Sequence, residues 1–169
     1  MANEAWLNGK LDGYAPILIP AAHALTQAIA DLEKHAPHLS DEELLIRPNN
    51  SPSAAFHLRH IAGSIDRLLT YSRDEELSEA QFEFLKKESS PNSALNASEL
   101  TRKAIDEINR ALDHLKNIAP ESLFEERFVG RKRLLTNVFG LLFHIAEHTA
   151  RHVGQVITIA RIVWKEKTN

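Results

Sequence analysis

Three histidines stand at four-residue intervals in the last long apolar segment of the sequence. They are His144, His148 and His152, in the stretch FHIAEHTARHVGQVITIARIV. Because an α-helix turns once in about 3.6 residues, side chains four positions apart lie on one face, and two neutral imidazoles there can bind the same metal ion. The sequence contains no cysteine, so the metal ligands would be nitrogen or oxygen atoms. A metal site carried on a helix is therefore the leading hypothesis.

The helical phase of this segment favours one pair of histidines. Counting about 100° per residue, His152 lies at the centre of the apolar stripe, His148 at its edge and His144 toward the flank. One helix rarely supplies three ligands around one ion, so a further ligand has to come from another part of the chain. If no metal binds, these histidines are polar core residues of an interaction module.

Six other histidines are candidates for that further ligand: His23, His35, His38, His57, His60 and His114. His35 and His38 flank Pro37 in a predicted connection, where solvated loop residues are the better interpretation. His114 has charged neighbours and is expected to point outward. His23 could face the site, or it could be a core histidine bonded to a backbone carbonyl.

The segment AAFHLRHIAGSIDRLLTYS contains the remaining two candidates. On the same count of about 100° per residue, His57 lies about 70° from the centre of the apolar stripe and His60 about 130° away. Periodicity alone therefore selects His57.

A protease motif also occurs in the last segment. His144-Ile-Ala-Glu147-His148 fits the His-x-x-Glu-His pattern of inverted zinc proteases, which need another acidic ligand well downstream. The only carboxylate side chain after His148 is Glu166, at the far end of the same predicted helix. The sequence therefore argues against this class of protease.

Length and composition point to one folded domain over residues 1–169. Apolar residues make up 43% and charged residues 25% of the chain, as in globular proteins. With 20 basic and 23 acidic side chains interspersed, we expect no nucleic-acid partner. The N-terminus lacks the pattern of a secretory signal, and no segment approaches the roughly 20 apolar residues of a membrane span. We therefore expect a cytoplasmic protein without membrane contact.

Helical periodicity predicts an all-α fold, because no segment alternates strictly between apolar and polar residues. The four long helices are expected near residues 16–34, 52–72, 98–117, and from 135 or 137 to 165. Short helices are predicted from Ser40 to before Pro48 and over 78–87, and a loop over 89–93. Ser51 is the expected cap of the second long helix, with Pro52 at its first position. Four long amphipathic helices with short accessory helices predict a four-helix bundle.

The segments SPSAAFHLRHIAGSIDRLLTYSR and LLFHIAEHTARHVGQVITIARIV together resemble the DinB-like superfamily of metal-binding four-helix-bundle proteins. The resemblance extends from about Gly13 to Val163. Its most specific part is His148-x-x-x-His152-x-Gly154-Gln155, supported by the segment that begins with His60.

The resemblance implies a site and a class of activity. It makes His60, His148 and His152 the ligands of a divalent ion, commonly zinc or nickel, and so replaces His57 by His60. It implies an open coordination position, as in a catalytic site, and an S-transferase that uses a low-molecular-weight thiol, or a related transferase or hydrolase in detoxification. The alternative is a noncatalytic, metal-stabilised bundle that binds a small molecule or protein partner in stress response. A homodimer is the expected assembly.

Several neighbouring residues have open roles. His57, His144 and Glu147 could orient the ligands or transfer protons, or they could be polar residues at the rim of the bundle. Gly154 is expected to allow close helix contact, and Gln155 to bond within the site or cap the core. Trp6 and Tyr14 are expected to make packing or dimer contacts.

Overall fold

The computed structural model describes residues 4–90 and 96–167, most of which are helical. The helices are α1 (Ile19–His35), α2 (Ala54–Ser72), α3 (Glu79–Lys87), α4 (Ala97–Asn117) and α5 (Val138–Lys167), with two short strands, β1 (Glu126–Val129) and β2 (Leu134–Asn137), before α5. Among the described helices, none has both the length and the apolar character to cross a membrane. The predicted loop at 89–93 lies mostly outside the described residues.

The four long helices α1, α2, α4 and α5 pack around one hydrophobic core. Both α1 and α2 contact α4 and α5, and each helix turns a stripe of aliphatic side chains inward. Fully buried members of the core include Leu25, Leu58, Ile61, Ile108 and Leu142. Burying the apolar face of each amphipathic helix is the main source of its stability. The prediction of an all-α chain is confirmed in its main feature.

The start of α2 differs slightly from the prediction. The side chain of Ser53 accepts a hydrogen bond from the backbone N–H of Phe56 at 3.3 Å, so Ser53 is the N-cap. The predicted cap at Ser51 and first helical position at Pro52 were therefore wrong by two residues. The shift leaves the phase of α2 unchanged, because helical phase is set by the apolar residues further along.

A serine precedes each accessory element and hydrogen-bonds to the residue three positions later. Ser78 and Gln81 form a reciprocal capping box at the start of α3, where a helix was predicted over 78–87. The backbone N–H of Ser40 donates to Oε2 of Glu43 at 2.8 Å, and the N–H of Glu43 donates to Oγ of Ser40 at 3.3 Å. The helix that follows is only the 3₁₀ turn Glu43–Leu45, which is shorter than predicted.

A β-hairpin before α5 was not predicted. The two strands pair antiparallel, with Val129 opposite Leu134 across the turn. Gly130 has φ 67° and Arg133 has φ 47°, so the turn uses the left-handed conformation that glycine adopts most easily. Nε of Arg127 donates to the carbonyl oxygen of Ser72 at 2.9 Å and anchors the hairpin to the end of α2.

Candidate metal centre

Packing of α2 against α5 brings three histidines together. His60 lies on α2, and His148 and His152 lie on α5. One nitrogen from each lies within 4.8 Å of the others. The ring centroids are separated by 4.4 Å for His60 and His152, 4.5 Å for His148 and His152, and 5.0 Å for His60 and His148. These three residues, hereafter the histidine triad, are close enough to hold one metal ion.

His60 reaches the triad from the flank of α2. Its side chain is 21% exposed, which agrees with a position off the apolar stripe. Its Nε2 lies 3.3 Å from Nε2 of His148, and the ring of Phe56 stacks on it at 5.4 Å between centroids. The flank is covered by α5 and by the end of α3, so a residue that periodicity places near the surface lies at a contact between elements.

His57 is buried as its phase indicates, yet it lies outside the triad. Only 5% of the residue is exposed, and its Nδ1 lies 2.8 Å from Nδ1 of His152. A hydrogen bond between two imidazoles requires one ring to donate and the other to accept. His57 therefore occupies Nδ1 of His152, which leaves Nε2 of that ring as the nitrogen that could bind a metal ion.

Glu88 and Arg67 are site residues that the sequence did not indicate. Oε2 of Glu88 accepts a hydrogen bond from Nδ1 of His60 at 2.9 Å, and its Oε1 accepts one from Nη2 of Arg67 at 3.2 Å. Glu88 is 4% exposed and Arg67 8%. Glu88 caps the end of the short helix α3, 28 residues beyond His60 in sequence. Neither periodicity nor a motif marks it, so only the packing of α3 reveals its role.

The environment of the triad keeps His148 and His152 neutral. Burial, followed by the neighbouring charge of His60, lowers the pKa of His148 to about 4 and that of His152 to about 3. Burial also lowers the pKa of His57 to about 4, with a smaller contribution from His60. At neutral pH these rings are unprotonated and keep a free lone pair, the form that binds metal. The donor set therefore fits a divalent ion that accepts imidazole nitrogen.

His144 and Glu147 form a pair beside the triad. Nδ1 of His144 donates to Oε1 of Glu147 at 2.6 Å, and Nε of Arg151 lies 2.9 Å from the other carboxylate oxygen. The ring of His144 is 5.1 Å from that of His148. Because 45% of the His144 side chain is exposed, this pair lies at the rim of the site.

The other candidate histidines lie elsewhere. His23 is buried and its Nε2 donates to the carbonyl oxygen of Gly9 at 2.7 Å, which agrees with the core alternative. His114 is partly buried, with its Nε2 3.1 Å from Oγ of Ser72, so the expectation that it points outward was wrong. His35 is partly buried at the end of α1, and His38 is exposed.

The remaining positions of the motif on α5 lie away from the ligands. A Cβ at Gly154 would meet no atom within 4 Å, so the expected close helix contact at this glycine was wrong. Gln155 is exposed. At the N-terminus, Tyr14 packs against the core, in line with the packing alternative, while Trp6 is 64% exposed.

Comparisons with known proteins agree with this architecture. The sequence model of the DinB superfamily matches residues 24–156, a range that contains the whole triad. A DinB-like protein of known crystal structure from Bacillus cereus ATCC 10987 is similar, with a TM-score of 0.59 and 17% sequence identity over 82% of this chain and 87% of that chain. At that identity the similarity concerns the fold alone. No protein of curated function matches the sequence.

Proposed function

This chain belongs to the DinB superfamily, and on that premise we propose that it binds one divalent metal ion through His60, His148 and His152. The proposal depends mainly on one observation, the approach of three imidazole nitrogens to within 4.8 Å of one another. Imidazole suits both zinc and nickel, and these are the proposed ions. The four long helices act as a four-helix bundle that brings ligands from α2 and α5 to one point.

The chain's own residues prepare each ligand. Glu88 holds Nδ1 of His60, and His57 holds Nδ1 of His152, so Nε2 is the nitrogen that each ring would offer to the metal ion. Such partners behind metal-binding histidines fix the orientation and tautomer of the ring. Three ligands leave a coordination position for substrate. When bound there, a divalent ion would supply Lewis-acid activation of a weak nucleophile or of an electrophile.

We further propose a transferase that uses a low-molecular-weight thiol. The resemblance to thiol-dependent members of the superfamily supports this class, and a chain without cysteine must obtain any thiol from a cosubstrate. A cavity of about 380 Å³ is lined by Phe56, Arg59 and Glu88 among others. Phe56 and Glu88 both contact His60, and the volume is within the range of small-molecule sites.

The second candidate is a noncatalytic metal-stabilised protein that binds a small molecule or a partner. One feature of the cavity favours this candidate, namely that no triad histidine lines the cavity. Loss of an electrophilic substrate in the presence of a small thiol, measured with the metal-loaded and the metal-free protein, separates the two candidates. Turnover that requires both metal and thiol supports the transferase, and its absence over a panel of electrophiles supports the binder.

Metal content tests the site itself. Protein purified after removal of any affinity tag is expected to contain or take up about one zinc or nickel ion per chain, measured by elemental analysis and calorimetric titration. His148→Ala removes one of three ligands and is expected to lose stoichiometric binding. His38→Ala is the control, because His38 is exposed and lies against Trp164 rather than the triad. Full metal content in His148→Ala would contradict the assignment.

A further inference from the structure

Glu88 is a buried carboxylate with two partners of different kinds. It joins Arg67 of α2, whose guanidinium offsets its charge, to the imidazole of His60. A carboxylate buried without hydrogen bonds or a counter-charge would be strongly destabilising. The two partners offset the cost of burying the carboxylate of Glu88. The position of this carboxylate directly behind His60 indicates a role at the triad.

The hydrogen bond at Nδ1 determines which nitrogen of His60 is free. In its metal-binding form an imidazole carries one proton, and because the carboxylate oxygen of Glu88 accepts a hydrogen bond from Nδ1 of His60, that proton is on Nδ1. The lone pair is then on Nε2, the atom that lies 3.3 Å from Nε2 of His148. Without Glu88, the ring could rotate or take the other tautomer, which would place an N–H where the metal should bind.

Close packing of α3 on α2 brings the carboxylate to this position. A Cβ built on Gly63 would lie 2.5 Å from Cε1 of Phe84 and 2.6 Å from Oε1 of Glu88, so the contact depends on the absence of a side chain there. Nε2 of Gln81 also donates to Oδ2 of Asp66 at 2.8 Å. The short helix α3 is therefore fixed on α2 at both ends.

We infer that Glu88 is a positioning residue of the metal site, which holds His60 in the Nδ1–H tautomer with Nε2 directed toward His148 and His152. In this arrangement α3 contributes no metal ligand, but Glu88 at its C-terminal end determines the orientation of the ligand His60. The inference rests on the proposed function, since it assigns a role toward the same ion.

The test compares three variants for zinc affinity, measured by competition with a chelator of known affinity. Glu88→Ala removes the acceptor and is expected to weaken binding about 10- to 100-fold, the range typical of lost partners behind metal ligands. Glu88→Gln keeps an acceptor oxygen and is expected to weaken binding less. Glu83→Gln is the matched control, because Glu83 lies on the same helix but pairs with Lys86 in solvent; its affinity should equal that of the wild type.

A second measurement needs no metal. Nitrogen chemical shifts of the His60 ring in the metal-free protein near pH 8 should show the Nδ1–H tautomer in the wild type and in Glu83→Gln. In Glu88→Ala they should move toward the Nε2–H form. This readout distinguishes positioning from a loss of stability, which would lower the melting temperature without changing the tautomer of the folded protein.

The outcomes separate the two proposals. If the wild type binds zinc and Glu88→Ala binds it equally well, the positioning role is wrong and the metal site stands. If the wild type shows the Nε2–H tautomer at His60, the positioning role is also wrong. If the wild type and Glu88→Gln are both folded and neither binds zinc or nickel, the proposed function fails, and the positioning role fails with it.

Discussion

His57 lies directly behind His152, and their contact determines how that ligand would be held. If His152 coordinates through Nε2, its own proton is on Nδ1. That proton is then donated to Nδ1 of His57, 2.8 Å away, so His57 carries its proton on Nε2. The lowered pKa of both rings, a result first of burial, keeps them neutral and makes this arrangement possible at pH 7.

Replacing His57 by leucine tests this orientation. His57→Leu keeps most of the buried volume and removes the acceptor for His152, so zinc affinity is expected to fall about tenfold, less than in His148→Ala. Calorimetric titration of the folded variant measures the change. His114→Leu is the control, because His114 is partly buried and bonds Ser72 at the opposite end of α2 from His57. Equal affinity in His57→Leu and the wild type would contradict the orienting role.

At the scale of residues, the sequence predicted part of the candidate site. The four-residue spacing was enough to identify His148 and His152 as candidate ligands, because both lie on the inward face of one helix. Periodicity failed for His60, since that method detects burial in the core and His60 lies on a flank covered by other elements. Glu88 could not be predicted, because its contact with His60 arises only when α3 packs on α2.

At the scale of elements, two glycines in helices provide a matched pair. In a helix, alanine is favoured over glycine by about 0.5–1 kcal/mol. At Gly154 a Cβ would meet no atom within 4 Å, whereas at Gly63 it would lie 2.5 Å from Phe84. The same substitution is therefore expected to have opposite effects in α5 and α2.

Gly154→Ala should stabilise the protein by about 0.5–1 kcal/mol. Gly63→Ala should destabilise it, because overpacking costs typically about 1–3 kcal/mol, and should displace α3. Chemical denaturation measures the free energy of unfolding, and hydrogen exchange of the α3 amides reports whether that helix has loosened. Stabilisation by Gly63→Ala with unchanged exchange in α3 would show that the contact between α2 and α3 is not as close as described.

The long helices were predicted from the sequence, whereas the β-hairpin was not. Long amphipathic helices carry a repeated signal over many residues, so their existence and phase were predicted although their starts moved by a few positions. Each strand has four residues, too few to show alternation against the charged turn that joins them. Tertiary contacts such as the hydrogen bond from Arg127 to Ser72 hold the hairpin in place, and the sequence pattern does not indicate these contacts.

At the scale of the whole molecule, metal, protons and folding are linked. The proposed ligands come from α2 and α5, which are joined into one site only in the folded state, so metal binding would stabilise the fold. Proton binding, in contrast, favours the unfolded state. The unfolded chain binds a proton at each histidine near the ordinary pKa of 6.5, whereas in the folded state the pKa is about 4 for His57 and His148 and about 3 for His152.

Without metal, the free energy of unfolding is therefore expected to be greatest above pH 6.5 and to fall as the pH decreases toward 4, because the unfolded state takes up more protons in that window. Burial lowers the pKa of His114 as well, which adds to the same trend. Denaturation of chelator-treated protein between pH 7.5 and 4.5 measures the slope. His57→Leu removes one of these groups and should show a shallower dependence than His38→Ala. A pH-independent free energy between 6.5 and 5 would contradict the burial of neutral histidines at the triad.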